Sequence, residues 1–109
     1  MFDNLFGNSS AEKVLLYLAA FEEGYAQSIA KNFNIPVNMV QKQLQKLERA
    51  GILVSQLKGR TRLYLWNPRY PFRQELRALL KKGLEYLPDS ERKAYFMERK
   101  RPRRAGKPL

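Results

Sequence analysis

Residues Tyr25 to Gly51, YAQSIAKNFNIPVNMVQKQLQKLERAG, have the pattern of two helices joined by a tight corner. Asn34 tolerates the left-handed conformation in which many helices end. Pro36 cannot continue a helix but can begin one, because its missing N–H would have no intrahelical partner there. The apolar residues of the first helix share one side: Ile29, Ala30 and Phe33. The stretch therefore predicts a helix, a sharp corner and a second helix.

The second helix has two unlike faces. Its apolar residues recur at helical spacing, and Gly51 is a suitable stop: Val40, Leu44 and Leu47. The opposite face carries amides and one ammonium group: Asn38, Gln41, Lys42 and Gln45. Asn and Gln can pair with adenine, and Lys can donate to guanine, in a major groove that admits a helix. We interpret this second helix as a DNA recognition helix. The alternative is an ordinary helical hairpin with a solvated polar face.

Composition fits one small folded domain with a polyanionic partner. The chain has 109 residues, of which 44% are hydrophobic, and a formal net charge of +11. Such a charge favours a polyanionic partner, either nucleic acid or an acidic membrane surface. Residues Arg99 to Leu109 hold six Lys/Arg and no acid, so the rest of the chain is only mildly basic. Two prolines and no periodicity predict a disordered basic tail there.

Several functional classes are disfavoured by composition. The sequence contains no cysteine and no histidine, which excludes disulfides, Cys/His metal sites and a histidine general base. It has no phosphate-binding glycine loop, so we expect no enzyme, cofactor or metal. No apolar run is long enough for a membrane span and no secretion signal is evident, so we expect no membrane partner and a cytoplasmic location.

A helix is predicted before the helix pair. Ser9 and Glu12 have the spacing of a capping box, and apolar residues follow at helical spacing until Gly24 interrupts them.

After the helix pair the pattern changes to that of strands. Residues 52–57 and 60–66 are rich in β-branched, aromatic and leucine residues and flank Lys58-Gly59, which predicts a β-hairpin. Its tip carries Lys58, Arg60 and Arg62, three cations that repel one another unless a phosphate accepts them. A solvated tip that only blocks edge pairing is the alternative.

A leucine-rich amphipathic helix is predicted between Phe72 and Pro88. A domain this small has limited room to bury all its leucines, so we expect self-association. Completion of the monomer core is the alternative. The predicted dimerisation residues are Leu76, Leu79, Leu80, Leu84 and Leu87. Residues 89–99 are predicted to form a further short helix.

The order of these elements, together with Phe33-Asn-Ile-Pro36, Val40 to Leu53 and Gly59 to Tyr64, resembles ArsR-type and related MarR-type transcriptional regulators. The resemblance spans about residues 10–87. It implies a mainly α fold with a small β-hairpin, a winged helix-turn-helix with a helical C-terminal extension. The implied organisation is a lead-in at 1–8, the winged domain with its dimerisation helix at 9–87, and a short helix with a basic tail at 88–109.

The resemblance also implies a homodimer that places two recognition helices in successive major grooves. Base contacts fall on Val37, Asn38, Gln41 and Lys42, to which the polar face adds Gln45. Wing contacts fall on Lys58, Arg60 and Arg62, with Thr61 at the same tip. Metal-sensing members use Cys, His and acidic ligands; because Cys and His are absent, the resemblance does not extend to metal sensing of that kind.

These observations favour a sequence-specific regulator that binds double-stranded DNA, a dimeric repressor whose small-molecule effector, if any, is undefined. One alternative is a winged-helix adaptor that docks a protein partner through the aromatic segment Tyr95 to Met97. Another is a non-specific nucleic-acid binder driven by the basic tail.

Overall fold

The computed structural model describes residues 2–97, except the side chains of Asp3 and Asn4. The predicted basic tail at 99–109 lies outside this range. The helices are α1 Asp3–Phe6, α2 Ser9–Phe21, α3 Ala26–Phe33, α4 Val37–Arg49, α5 Arg73–Glu85 and α6 Asp89–Glu91, followed by a π-helical turn Arg92–Phe96. The strands are β1 Glu23–Tyr25, β2 Leu53–Lys58 and β3 Thr61–Trp66. The mainly helical winged fold predicted from the sequence is confirmed.

The start of α2 differs by one residue from the predicted capping box. Asn8, not Ser9, is the N-cap, and its side chain accepts a hydrogen bond from the Ala11 N–H at 2.7 Å. The Glu12 carboxylate accepts instead from the backbone N–H of Phe2. Residues predicted as a lead-in therefore include α1 and are tied to α2.

The corner between α3 and α4 is formed as predicted. Asn34 is left-handed, with φ 56° and ψ 51°, and the Ile35 N–H donates to the Ala30 carbonyl at 3.0 Å. This is the Schellman pattern, which satisfies the last carbonyls of a helix. Pro36 is the N-cap of α4 rather than its first helical residue.

The hairpin is part of a three-stranded antiparallel sheet of order β1-β3-β2. Strand β1 was not predicted. It pairs with β3 in the register Gly24↔Tyr64, and α3 follows it without a loop. At the base of the hairpin, Asn67 Nδ2 donates to the Gly51 carbonyl at 2.8 Å, and the Asn67 N–H donates to the Ile52 carbonyl at 3.0 Å. The wing is thereby fixed at its base to both α3 and the end of α4.

The core is centred on α2, which packs against α4 and α5. Its fully buried members include Leu18, Ile29 and Leu44. Leu80 of α5 is also fully buried in this core, and Leu76 and Leu84 pack against it. The part of α5 predicted to dimerise therefore also completes the fold of its own chain.

The C-terminal segment returns to the helix-turn-helix. Tyr95 and Phe96 pack on Phe33 with ring centroids 5.4 and 5.5 Å away, and Asn32 Nδ2 donates to the Tyr95 carbonyl at 2.9 Å. The helix predicted over 89–99 is thus a short α-helix that continues as a π-helical turn, and residues 98 and 99 lie beyond the described part of the chain.

Candidate nucleic-acid interface

The polar face of α4 is open to solvent. Asn38, Gln41, Lys42 and Gln45 are all exposed, and Val37 is half-buried at the start of the helix. Neither the chain's own sheet nor its other described helices cover this face. The predicted base-contacting residues are therefore presented together, as helical spacing requires.

Sequence reasoning missed three further features of α4. Lys46 and Arg49 are exposed and follow Lys42 and Gln45 by four residues, so they extend the same face with two cations. This i, i+4 spacing in the sequence is the signal from which Lys46 and Arg49 could have been predicted. Gln43, in contrast, is 8% exposed and lies on the buried side of the helix.

The tip of the wing is a two-residue turn. The two turn residues are Gly59 and Arg60. The first has φ +62° and the second has no positive φ, as a type II′ hairpin turn requires. Thr61 Oγ1 donates to the Lys58 carbonyl at 3.0 Å and closes the tip. Lys58, Arg60, Thr61 and Arg62 are all exposed there.

A polar groove of about 460 Å³ connects the recognition face to the wing. It brings together Gln41 and Gln45 of α4 with Arg60, Thr61 and Arg62 of the wing. It does not include Val37, Asn38, Lys42 or Lys58. Residues that the sequence did not single out also line it: Tyr25, Ala26, Gln27, Ser28 and Tyr64.

The first turn of α3 lines part of this groove. Ala26, Gln27 and Ser28 form the first turn, and Tyr25, the N-cap, gives no side-chain hydrogen bond to it. First-turn N–H groups of a helix have no intrahelical partner and carry a partial positive charge. The groove therefore combines amide side chains, guanidinium groups and a positive helix end.

The segment that forms α3, α4 and the hairpin is strongly cationic. Between Gly24 and Gln74 the sequence holds nine Lys/Arg and a single acid, Glu48. The Glu48 carboxylate accepts a hydrogen bond from Ser55 Oγ at 2.7 Å, and Ser55 Oγ in turn accepts one from Arg62 Nη1 at 3.1 Å. Glu48 therefore interacts with the hairpin and, through Ser55, helps to position Arg62.

Tyr64 closes the floor of the groove on the strand side. Burial raises the pKa of its phenol above the usual value of 10, Glu48 raises it further, and Arg62 opposes them. The hydroxyl consequently stays protonated at neutral pH and is available as a neutral donor.

The predicted dimerisation residues are divided between two environments. Leu80 is buried in the core, Leu76, Leu84 and Leu87 are half-buried, and Leu87 lies past the end of α5. Leu79 is 38% exposed and lines an apolar surface pocket of about 410 Å³. The other lining residues of this pocket, here called the α5 patch, are Phe2, Lys82, Gly83 and Tyr86.

Metal-binding side chains do not cluster over residues 2–97. That range contains no cluster of three or more acidic, Cys or His residues suited to a metal ion. Of the adjacent acids at the end of α2, Glu22 pairs with Arg77 and lies 3.9 Å from Lys81 Nζ. None of the helices in the described range is long and apolar enough to cross a membrane.

The fold has clear relatives among solved structures. A MarR-family transcriptional regulator from Rhodococcus sp. RHA1 superposes with a TM-score of 0.56 at 19% identity, covering 82% of this chain and 69% of that one. A mutant of ZitR from Lactococcus lactis in apo form superposes with a TM-score of 0.53 at 22% identity, covering 78% and 73%. At these identities the likeness establishes the winged helix-turn-helix fold alone.

Sequence comparison places the chain in a family. Residues 2–62 match the model of a family described as uncharacterized protein conserved in archaea (DUF2250), and the chain belongs to that family. The matched region extends from α1 to Arg62 of the wing. No curated protein matches the sequence. The MarR-type part of the resemblance is reflected in the solved structures, whereas the ArsR-type part stays a prediction.

Proposed function

We propose that this protein is a sequence-specific regulator of transcription that binds double-stranded DNA through α4 and the wing. The observation that carries the proposal is the groove in which Gln41 and Gln45 of α4 face Arg60 and Arg62 of the hairpin. The amides supply base recognition and the guanidinium groups supply phosphate contacts. Both kinds of side chain line the same groove.

The proposed roles of these residues follow from their positions in the fold. Exposed Asn38, Gln41 and Lys42 lie in the first half of α4, the part of a recognition helix that contacts base edges. Lys58, Arg60 and Arg62 project from the hairpin and contact the flanking backbone. The unpartnered N–H groups at the start of α3 provide a further place for a phosphate.

The proposed active form is a homodimer that acts as a repressor. The α5 patch supports a dimer because Leu79 and the 74% exposed Tyr86 leave apolar surface uncovered on a helix whose other side is already buried. Two copies related by a twofold axis would read an inverted repeat. Binding over a promoter blocks access to it, which makes repression the expected outcome.

Selection of bound sites from a random duplex pool tests the proposal directly. We expect an enriched palindrome whose half-sites are about 10 base pairs apart, centre to centre. An unenriched pool would contradict sequence-specific binding.

Substitutions on α4 test the recognition face. Gln41→Ala and Lys42→Ala are expected to weaken binding to the selected site by about 1–3 kcal/mol and to relax its sequence preference. Matched controls are Gln74→Ala and Lys93→Ala, exposed residues on other elements, which should leave both properties unchanged in a gel-shift titration. An unchanged preference in the α4 variants would show that this face does not contact the bases.

The proposed phosphate contacts of the wing lead to a different prediction. Arg60→Ala is expected to weaken binding to all duplexes similarly and to lower the slope of log K against log salt by about one unit. A loss confined to the selected sequence would assign Arg60 a base contact instead.

The adaptor alternative stays a prediction. Its docking segment is Tyr95 to Met97, of which Tyr95 and Phe96 pack on Phe33 of the same chain, while Tyr95 and Met97 remain 37% and 48% exposed.

A further inference from the structure

The face of α4 that borders the wing ends in an acid. Gln41, Gln45 and Glu48 follow one another at i, i+4 and i+7, so they lie in one row along the helix. The two glutamines line the groove beside the wing. The acid is half-buried and is the single Asp or Glu between Gly24 and Gln74. A carboxylate thus lies in line with the amides that are proposed to contact DNA.

The wing carries a second row of side chains opposite the first. Ser55 pairs with Tyr64, and Leu57 pairs with Arg62, in the antiparallel ladder of β2 and β3. Residues two apart on a strand point to the same face, so all four side chains share one face of the hairpin. Because Ser55 reaches Glu48 of α4, this is the face that borders the recognition helix.

Two hydrogen bonds in series join the rows. Ser55 Oγ donates to Glu48 Oε2 at 2.7 Å and accepts from Arg62 Nη1 at 3.1 Å. A hydroxyl has one proton, so donating it to the carboxylate leaves the lone pairs of Ser55 for the guanidinium. Hydrogen bonds to ionised groups are the stronger ones, and bonds in series polarise one another. These three side chains are here called the Glu48 relay.

The Glu48 relay restrains one arginine of the wing and leaves another free. Ser55 binds one of the five N–H groups of Arg62. Arg60 has no hydrogen bond or ion pair with any residue in the part of the chain that the structure describes. Both arginines line the groove, but only Arg62 is tied to α4. A side chain that is already restrained loses less conformational entropy when it is immobilised on a ligand.

We infer that Glu48 and Ser55 are positioning residues for DNA binding, which hold the Arg62 guanidinium in the groove with Gln45 for a phosphate next to the bases that α4 contacts. The inference rests on the proposed function and deepens it. Phosphate contacts fix the register of a protein on the duplex, and the relay fixes where that contact lies relative to α4. Arg60 adds affinity for phosphate without setting the register.

This role predicts an effect opposite in sign to that of charge alone. Glu48 is an anion on a surface proposed to face phosphates, so Coulomb repulsion alone predicts tighter binding when it is removed. If Glu48 acts through Arg62, Glu48→Ala should instead weaken binding to the selected duplex about three- to tenfold. Ser55→Ala changes no charge and should weaken binding by a similar factor, whereas Ser55→Thr keeps the hydroxyl and should retain wild-type affinity.

The matched control removes the same charge elsewhere. Glu75 is exposed in the first turn of α5, and no residue of α5 lines the groove. Glu75→Ala should therefore keep the affinity within about twofold of the wild-type value, because salt screens exposed charges outside the interface. Affinity that is unchanged or higher in Glu48→Ala would overturn the inference.

A double-mutant cycle identifies the residue through which Glu48 acts. In an Arg62→Gln background there is no guanidinium to position, so Glu48→Ala should no longer weaken binding. A general disturbance of the hairpin would weaken binding by the same factor in both backgrounds, and that result would overturn the inference. Circular dichroism and urea denaturation establish that each variant is folded.

A measurement on the free protein separates this inference from the proposed function. Nitrogen NMR relaxation of the guanidinium Nε should show that Arg62 is more restricted than Arg60, and Glu48→Ala should make the two arginines alike. Equal mobility of the two in the wild-type chain would overturn the positioning role, whether or not the protein binds DNA. If Arg62 is restricted but the wild-type chain binds no duplex, it is the proposed function that fails.

Discussion

Trp66 Nε1 donates a buried hydrogen bond to the backbone carbonyl of Leu18 at 3.0 Å. This contact joins the last residue of β3 to the last turn of α2, residues 48 positions apart in the sequence. The same carbonyl accepts the Glu22 N–H at 2.8 Å, and the guanidinium of Arg77 lies 5.8 Å from the centre of the indole ring. The sheet that carries the wing is thereby fixed to the helical core.

Trp66→Phe should reduce the free energy of unfolding by about 1–3 kcal/mol, because it removes a buried donor and leaves space beside α2. Urea denaturation measures the change. Tyr86→Phe, at a highly exposed position, is the control and should stay within about 0.5 kcal/mol. Equal stability of the Trp66 variant and wild type would mean that the hydrogen bond contributes nothing net.

Position 24 requires glycine because there is no room for a side chain, and not because of its backbone conformation. A Cβ at this position would lie 2.8 Å from Tyr17 Cε1 and 3.3 Å from Ile29 Cδ1. Gly24→Ala should therefore destabilise the fold by about 1–3 kcal/mol. In a double-mutant cycle, Tyr17→Leu should remove part of that cost, so that the two losses are not additive. Additive losses would argue against the contact.

Leu79 and Leu80 are adjacent but should behave differently. Leu80 is fully buried and Leu79 is 38% exposed in the α5 patch. Leu80→Ala should cost about 2–5 kcal/mol of folding stability. Leu79→Ser should change monomer stability by less than about 1 kcal/mol and weaken the proposed dimer in sedimentation equilibrium. Undiminished association of Leu79→Ser would place the dimer interface elsewhere.

Two tyrosines make stability depend on alkaline pH. Burial raises the pKa of Tyr17, and burial with Glu48 raises that of Tyr64, above the usual value of 10. Above pH 10 the unfolded chain loses these protons before the folded one does, so stability should fall as pH rises from about 10 toward the folded pKa values. Urea titrations at pH 8 and pH 11 measure this loss.

The matched control for the alkaline loss is the double variant Tyr17→Phe with Tyr64→Phe, which retains the rings but has no ionisable hydroxyl. Its loss of stability between the two pH values should be smaller than that of the wild-type chain. If both proteins lose the same amount, other groups cause the pH dependence.

Local chemistry made the helix-turn-helix predictable. Few residue types adopt the left-handed conformation, so Asn34 before Ile35 and Pro36 marks a helix end from sequence alone. The turn at Gly59 is specified in the same way. In each case the signal lies within a few residues and needs no knowledge of distant parts of the chain.

Features that depend on distant contacts were missed. Strand β1 has three residues, too few for an alternating pattern, and exists because Gly24 pairs with Tyr64 forty positions later. Asn8 and Ser9 are both good N-caps. The choice between them depends on the hydrogen bond that the Glu12 carboxylate accepts from the distant Phe2 N–H. The position of Leu80 in the core depends on how α5 crosses α2. The groove likewise needs Gln27 and Ser28 from α3, whose participation is visible only in three dimensions.

The attachment of the wing at its base has a consequence for DNA deformation. Strand β1 joins the hairpin to α3, and Asn67 joins it to the end of α4, so moving the wing relative to α4, the two elements proposed to contact DNA, would break the Asn67 hydrogen bond or the sheet. In the proposed complex the duplex must adjust its groove width and bending to the protein. Base steps that are never touched would then influence affinity through their stiffness.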